Sequence, residues 1–396
     1  MVYSHDAFGL GNLRRMLAIC EYLLKDQTHL SILLVSGSPM LHAFRLPKGL
    51  DYIKLPCLNR GQSGTLFAKY LGTELEETIK WRSHLIHSAA LHFKPDVLLV
   101  DKKPYGIQQE LLSTLEYLEA HLPATKKVLL LRDILDSPAK TIQDWTQQGY
   151  YQAIQTWYDQ ILVVGMAELF DVAQEYQFPL PIAKKVRYCG YIRKSVQGLN
   201  RMELRWFLRI QPSEKLVLVT PGGGEDGFPL VSAYLEGLKH LPSQMKLRSV
   251  ILCGPEMPLS HQQELQNKAL PYPGVEVQVF TDNLLGYLDA ADAVVSMGGY
   301  NTLTEILALQ KRTVVVPRIT PSQEQLIRAE RFMRHGLIQT IHPDHLQPKT
   351  LMQAVMTQLA DRATPALELD FNGLPNIAHH LSNLFFRHPL REPALA

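Results

Sequence analysis

Ala293-Val294-Val295-Ser296-Met297-Gly298-Gly299-Tyr300-Asn301-Thr302-Leu303-Thr304-Glu305 is the stretch on which the reading of this chain turns. A short apolar run ends in a small-residue turn, and a helix pattern carrying a carboxylate follows directly. Fully apolar runs of this length suit strands buried on both faces. Glycines let the backbone approach a ligand closely, and the N–H groups and dipole of a helix start favour an anion. Gly298, Gly299 and Asn301 lie in or beside the turn, Thr302 adds a hydroxyl, and Glu305 is placed to accept hydrogen bonds from a ribose diol. The alternative is a tight strand-to-helix loop with a capped helix and no ligand.

The same alternation runs along the whole chain. Apolar runs at Leu30–Val35, Asp96–Val100, Lys127–Leu131 and Gln160–Val164 alternate with helical patterns in the first half. Leu216–Val219, Ser249–Leu252, Val275–Val279, Ala293–Val295 and Thr313–Val316 do so in the second. This order predicts an α/β protein with parallel sheets covered on both faces. A break runs from Cys189-Gly190-Tyr191-Ile192 to Gly198-Leu199-Asn200, after which the pattern restarts. We therefore expect two Rossmann-like, doubly wound domains, over 1–195 and 196–372, facing a central cleft, with a C-terminal helix and tail over 373–396. Only Met1 and Val2 precede Tyr3-Ser4-His5-Asp6, where a first strand should already be ending. That strand is either very short or cut by a late start, and we favour the second reading.

Composition narrows the classes. A chain of 396 residues exceeds one ordinary domain. With 46% hydrophobic and 20% charged residues it reads as globular and soluble, and a net charge of +2 gives no case for bulk nucleic-acid binding. Cys20, Cys57, Cys189 and Cys253 are scattered and read as buried thiols in a reducing compartment. There is no secretory pattern and no apolar run long enough to span a bilayer. The expected location is cytoplasmic, with peripheral contact at the inner membrane face as an alternative. That alternative rests on Leu66–His92, where Phe67, Tyr70, Trp81, Leu85 and Ile86 mix with Lys69, Lys80 and Arg82. An amphipathic helix there could meet a lipid-linked acceptor; the ordinary reading is the buried face of a crossover helix. Oligomeric state is left open.

Each further candidate follows a strand, where ligands of such sheets bind. Gly222-Gly223-Gly224 can form a nest of N–H donors for a pyrophosphate, or serve as a flexible turn. Phe280-Thr281-Asp282 could border a flat base, or Thr281 or Asp282 could simply cap a helix. Glu324 and Gln325 could bind sugar hydroxyls, or form the polar first turn of a helix. No D-x-D pair, P-loop or G-x-S-x-G elbow is present. No metal site and no cofactor is expected. His84, His87, His92, His342 and His345 lack a completing ligand pattern and read as surface or helix-face histidines.

The segment from Leu216 to Gly336 resembles the carboxy-terminal domain of GT-B glycosyltransferases related to the family 28, peptidoglycan N-acetylglucosaminyl transferase-like enzymes. The opening from Tyr3 through Gly9-Leu10-Gly11-Asn12 to Arg15 is similar to that of predicted bacterial glycosyltransferases in this superfamily, as are Asp101-Lys102-Lys103-Pro104, Leu131–Asp136 and Val316-Pro317-Arg318. The resemblance implies that Gly298, Gly299 and Thr302 hold a donor diphosphate and that Glu305 binds ribose. It implies that Phe280 to Asp282 border the base, that Glu324 and Gln325 face the donor sugar, and that Gly222 to Gly224 line the phosphate side. It also implies that the segment from Gly373 to Phe386 crosses back to the first domain.

One departure stands out. Relatives carry His after the glycine turn, as G-x-G-H, and this chain has Asn12. Asparagine cannot take a proton near neutral pH. His5 at the end of the first strand, or Asp6, is then the candidate base; a base elsewhere, or lost activity, are the alternatives. Arg14, with Arg15 beside it, meets an anionic acceptor or diphosphate, or is a solvated helix face. The expected function is a metal-independent, inverting transfer of a hexose-type sugar from a UDP-sugar to an unidentified acceptor near His5, Asn12, Lys103, Arg132 and Asp133. The rivals are a nucleotide-sugar hydrolase or epimerase of the same fold, and a non-catalytic nucleotide-sugar binder.

Overall fold

A computed structural model describes residues 1–5, 11–26, 29–61, 65–193, 199–360 and 367–385. The chain forms two compact units, Met1–Tyr191 with Asn372–Ala396, and Ile192–Phe371.

The first unit is built on β1 (Val2–Ser4), β2 (Ile32–Ser36), β3 (Leu50–Lys54), the antiparallel pair β4 (Leu58–Arg60) and β5 (Leu66–Ala68), β6 (Val97–Asp101), β7 (Lys126–Arg132), β8 (Gln160–Val164) and β9 (Val186–Tyr188). Seven of these make one parallel sheet in the order β3-β2-β1-β6-β7-β8-β9. The apolar runs read from the sequence are its inner strands, within two residues at each end. The two edge strands carry no such run. Asp51 and Lys54 in β3 and Arg187 in β9 interrupt it, because an edge strand is partly solvated. β1 is short but pairs on both sides, Val2 with Leu34 and with Leu99.

The helix Gly11–Asp26 buries Leu13, Met16, Leu17, Ile19, Cys20 and Leu23, a single face at helical spacing. The last described helix, Gly373–Asn383, packs against it and buries Ile377, Ala378 and Leu381. The Gly373 N–H donates to the Tyr191 carbonyl at 3.0 Å, and Asn376 Nδ2 donates to the Cys189 carbonyl at 2.9 Å. Phe386 lies outside the described residues.

The single amphipathic helix read over Leu66–His92 is corrected. Leu66–Ala68 is β5, paired with β4, and the helix spans Leu75–Phe93 with Glu74 at its N-cap. The ladder to Leu58–Arg60 claims the first three residues, and Gly72 falls in the turn between strand and helix. Trp81 is 48% exposed and Leu85 42%, whereas Ile86 is fully buried.

The second unit contains β10 (Lys215–Thr220), β11 (Leu247–Leu252), β12 (Val275–Gln278), β13 (Ala293–Ser296), β14 (Arg312–Val315) and β15 (Gln339–Thr340). They form a parallel sheet in the order β12-β11-β10-β13-β14-β15. Alternation along β10 sends Val217 and Val219 into one core and Leu216 and Leu218 into the other. Helices Phe228–Gly237, Leu259–Ala269 and Pro348–Ala360 supply the first core; Arg201–Phe207, Leu284–Ala290 and Tyr300–Ala308 supply the second. Around β10 and β13 both faces are dry, which is why these strands read as continuous apolar runs.

Candidate functional site

Chain order reverses between β10 and β13: β11 and β12 lie to one side, β14 and β15 to the other. Open α/β sheets take their ligands at such a switch point, outside the carboxyl ends of the strands. Gly222, Gly223 and Gly224 follow β10, and Gly298 and Gly299 follow β13, so the two glycine turns flank that point.

Of the three glycines after β10, Gly224 is demanded by backbone packing. A Cβ on Gly224, whose φ is +96°, would stand 2.2 Å from the Cys253 carbonyl oxygen. A Cβ on Gly254 would stand 2.3 Å from the Gly223 carbonyl oxygen. The Glu256 N–H donates to that same Gly223 oxygen at 2.8 Å. The loops after β10 and β11 thus interlock through main chain alone.

Gly298 has φ +79°, and a Cβ there would lie 2.8 Å from Val315 Cγ1. Gly299 is the N-cap of the helix Tyr300–Ala308 and brings no capping side chain to its first turn. First-turn N–H groups have no partner inside a helix, and a helix start of this kind favours an anion. Asn301 and Thr302 are half-buried in that turn, and Glu305 is buried one turn on.

The helix Glu324–Arg334 brings Glu324 and Gln325 to the same place. Gln325 Nε2 lies 3.9 Å from where a Gly299 Cβ would be, and its Oε1 accepts the Arg318 N–H at 3.0 Å. Arg318 Nη1 stands 3.7 Å from Asp226 Oδ2, beside the first glycine turn. Glu324 Oε1 accepts from Arg328 Nη2 at 2.8 Å. Loops after β10, β13 and β14 therefore converge.

Phe280, Thr281 and Asp282 follow β12, two strands from the switch point. Phe280 is 55% exposed, as a platform for a flat ligand must be. The alternative helix cap at Thr281 or Asp282 is corrected. Asn283 is the cap, accepting the Gly286 N–H at 3.2 Å, while Thr281 Oγ1 accepts from the Asn283 N–H.

The first unit has its own switch point, between β1 and β6. His5, at the end of β1, is 7% exposed. Asn12 binds this strand end. Its Nδ2 donates to the His5 carbonyl at 2.7 Å, and its Oδ1 accepts from Arg15 Nη2 at 3.3 Å. Arg15 Nη2 also reaches Asp101 Oδ1 at 2.6 Å, with both side chains buried. The two arginines at the helix start divide, Arg14 pointing to solvent and Arg15 inward. Among the described residues, Asp101 Oδ2, Arg15 Nε and Ser4 Oγ are buried without a hydrogen-bond partner. Arg15 and Asp101 form a centre that residue-by-residue reading missed; the available signal was a carboxylate closing a fully apolar strand. Lys103 follows β6, in a segment where Lys102, Gln108 and Gln109 all have positive φ. Such strain collects at functional sites. Arg132 ends β7 and is half-buried. Asp133 is fully buried, accepting the Ile134 N–H at 2.7 Å and the Tyr191 hydroxyl at 2.9 Å, which makes it a member of the loop scaffold. Asp6 lies outside the described residues.

Two parallel-sheet units with glycine turns at the switch point define the GT-B fold. Residues 216–379 match the model of the Glycosyltransferase family 28 C-terminal domain. The chain is 30% identical over 154 residues to an uncharacterized glycosyltransferase of Methanopyrus kandleri, covering 39% of this chain and 40% of that one. It is 27% identical over 224 residues to a UDP-N-acetylglucosamine–N-acetylmuramyl-(pentapeptide) pyrophosphoryl-undecaprenol N-acetylglucosamine transferase of Bacillus cereus, covering 55% of this chain and 60% of that one. The matches therefore span about half the length of these relatives. The solved structure of a Medicago truncatula protein, UGT71G1, complexed with UDP-glucose aligns over 97% of both chains, with a TM-score of 0.66 and 13% identity.

Proposed function

We propose that this protein is a glycosyltransferase that moves a sugar from a UDP-sugar to an acceptor. The observation that carries this is the convergence of the Gly222–Gly224, Gly298–Gly299 and Glu324–Gln325 segments at the switch point of a family 28 C-terminal domain. In this reading the diphosphate lies on the start of the helix Tyr300–Ala308, and Glu305 takes the ribose. Glu324 and Gln325 take the sugar. Charge developing on the leaving diphosphate is met by the helix end and the glycine backbone, without a divalent ion. A direct attack of the acceptor oxygen on the anomeric carbon inverts its configuration.

His5 is proposed as the base. It ends β1 at the switch point of the first sheet, and an imidazole suits proton transfer near neutral pH. Asn12 acts differently. It holds the His5 carbonyl and links the strand end to the Arg15–Asp101 pair.

A lipid-borne acceptor is proposed as well. Phe67, Tyr70, Leu71, Trp81 and Leu85 are all exposed, between β5 and the helix Leu75–Phe93, and the Bacillus cereus relative is named for a pyrophosphoryl-undecaprenol substrate. No described helix is long and apolar enough to cross a membrane, so the contact would be peripheral.

A thermal-shift screen of nucleotide-sugars tests the donor, since a ligand of the native state raises its apparent stability. UDP and at least one UDP-sugar should raise the midpoint; no shift with any nucleotide rejects the donor site. Incubating the bound UDP-sugar without acceptor separates transfer from hydrolysis, and rapid release of UDP and free sugar would reject the transferase reading. His5→Ala should abolish turnover while leaving UDP binding intact. Co-sedimentation with anionic liposomes, lost in a Trp81→Ala, Leu85→Ala variant, tests the lipid surface.

A further inference from the structure

Arg328 is among the largest fully buried side chains of the molecule, at 0% exposure. It stands one helical turn after Glu324, on the helix Glu324–Arg334. A permanently charged guanidinium is costly to bury unless its neighbours hold it. Three groups around it belong to the candidate donor site. Its Nη2 donates to Glu324 Oε1 at 2.8 Å. Its Nη1 points at the Gly298 carbonyl at 3.5 Å. Its Cζ lies 5.2 Å from the centre of the Tyr300 ring, the first residue of the helix after the glycine turn.

These contacts are unequal. The 3.5 Å approach to Gly298 is at the outer limit of a hydrogen bond, whereas the 2.8 Å bond to Glu324 is short and charge-assisted. The guanidinium also lies within cation–π range of the Tyr300 ring. The firm result is therefore the placement of the Glu324 carboxylate relative to the helix Tyr300–Ala308. Glu324 is 17% exposed and Arg328 is not exposed at all, so a ligand could meet the carboxylate and never the arginine.

We infer that Arg328 is a positioning residue that sets the Glu324 carboxylate for the sugar half of the donor, so that it governs affinity for a UDP-sugar and leaves affinity for UDP nearly unchanged. This rests on the donor reading given above. Lysine could keep the charge at this position, but it lacks the planar, delocalised fork that bonds Glu324 beside the Tyr300 ring.

The test is a double-mutant cycle with Arg328→Lys, Glu324→Gln and the double variant. Calorimetry reads affinity for UDP, UDP-glucose and UDP-N-acetylglucosamine. Each single variant should lower affinity for whichever UDP-sugar the parent binds by about tenfold, and the double variant should lose no more than one of them. UDP affinity should change less than about twofold throughout. Additive losses, or equal losses for UDP and UDP-sugar, would mean that Arg328 only supports the fold, and would overturn the inference. If Arg328→Lys does not fold, Glu324→Gln carries the test alone, because it leaves Arg328 and its packing in place. Unchanged UDP-sugar affinity in that variant overturns the inference. A parent that binds no UDP rejects the donor reading itself, and this inference with it, which is a separate outcome from additivity.

Discussion

Replacing glycines one at a time after β10 separates backbone strain from packing. Gly222 and Gly224 both have positive φ, +89° and +96°. A Cβ on Gly222 meets nothing within 4 Å, whereas one on Gly224 would meet the Cys253 carbonyl oxygen at 2.2 Å and Gly254 Cα at 3.1 Å. Gly222→Ala therefore carries only the left-handed strain, about 1–2 kcal/mol. Gly224→Ala carries the same strain and must also push apart a pair of main-chain segments, which raises the total to roughly 3–4 kcal/mol. Neither neighbour is a flexible side chain, so no rotamer change relieves the contact. In a domain of this size each kcal/mol lowers the melting midpoint by about 2–4 °C. The assay is thermal and urea unfolding of both variants, with Gly72→Ala as a control because its Cβ meets nothing and its φ is not positive. UDP affinity, read by calorimetry, should follow the same order, since only Gly224→Ala moves the loop. Equal destabilisation by Gly222→Ala and Gly224→Ala would refute the interlock. A destabilised Gly224→Ala that binds UDP as the parent does would remove this loop from the phosphate site.

Three further outcomes are expected. Asn12→Ala removes the bonds to the His5 carbonyl and to Arg15, and should lower stability by about 1–3 kcal/mol and turnover more than UDP affinity; unchanged urea unfolding and turnover would deny Asn12 its clamping role. Glu305→Ala should weaken UDP binding by roughly 1–3 kcal/mol in calorimetry, and unaltered affinity would reject the ribose assignment. Burial acts to raise the Asp292 pKa, but the Leu216 N–H and the Arg205 guanidinium outweigh it and hold the carboxyl below its ordinary value. A folded-state pKa below the unfolded one gives stability that is present above the unfolded value, near pH 4, and is lost as pH falls through the lower folded value. Asp292→Asn should therefore flatten the acid limb of a stability–pH profile; an unaltered limb would exclude this carboxylate as a contributor.

How legible each region was depended on what its residues report locally. The inner strands announced themselves because both faces of each sheet are dry, so Leu216–Val219 and Ala293–Val295 carry no polar interruption. The edge strands of the first sheet did not, since Leu50–Lys54 and Val186–Tyr188 mix charge with apolar residues in partly solvated positions. The glycine turns were visible as turns, but not why each glycine is needed: the 2.2 Å approach of Gly224 to Cys253 joins segments almost thirty residues apart. Asn12 was read as a missing base because a sequence shows residue type and not partners. Its bonds to His5 and Arg15 show what it holds instead.

The sequence by itself determined the α/β class, the places along the chain of most of the inner strands, and the small-residue turn from Ser296 to Glu305, because periodicity and glycine placement are local properties of the chain. Only the tertiary structure decided that Gly222–Gly224, Gly298–Gly299 and Glu324–Gln325 converge at one switch point. It alone buried Arg328 behind them and closed Arg15 onto Asp101. Those contacts depend on which strands become neighbours, and strand order in a parallel sheet is set by the packing of whole crossover units rather than by any single stretch of sequence.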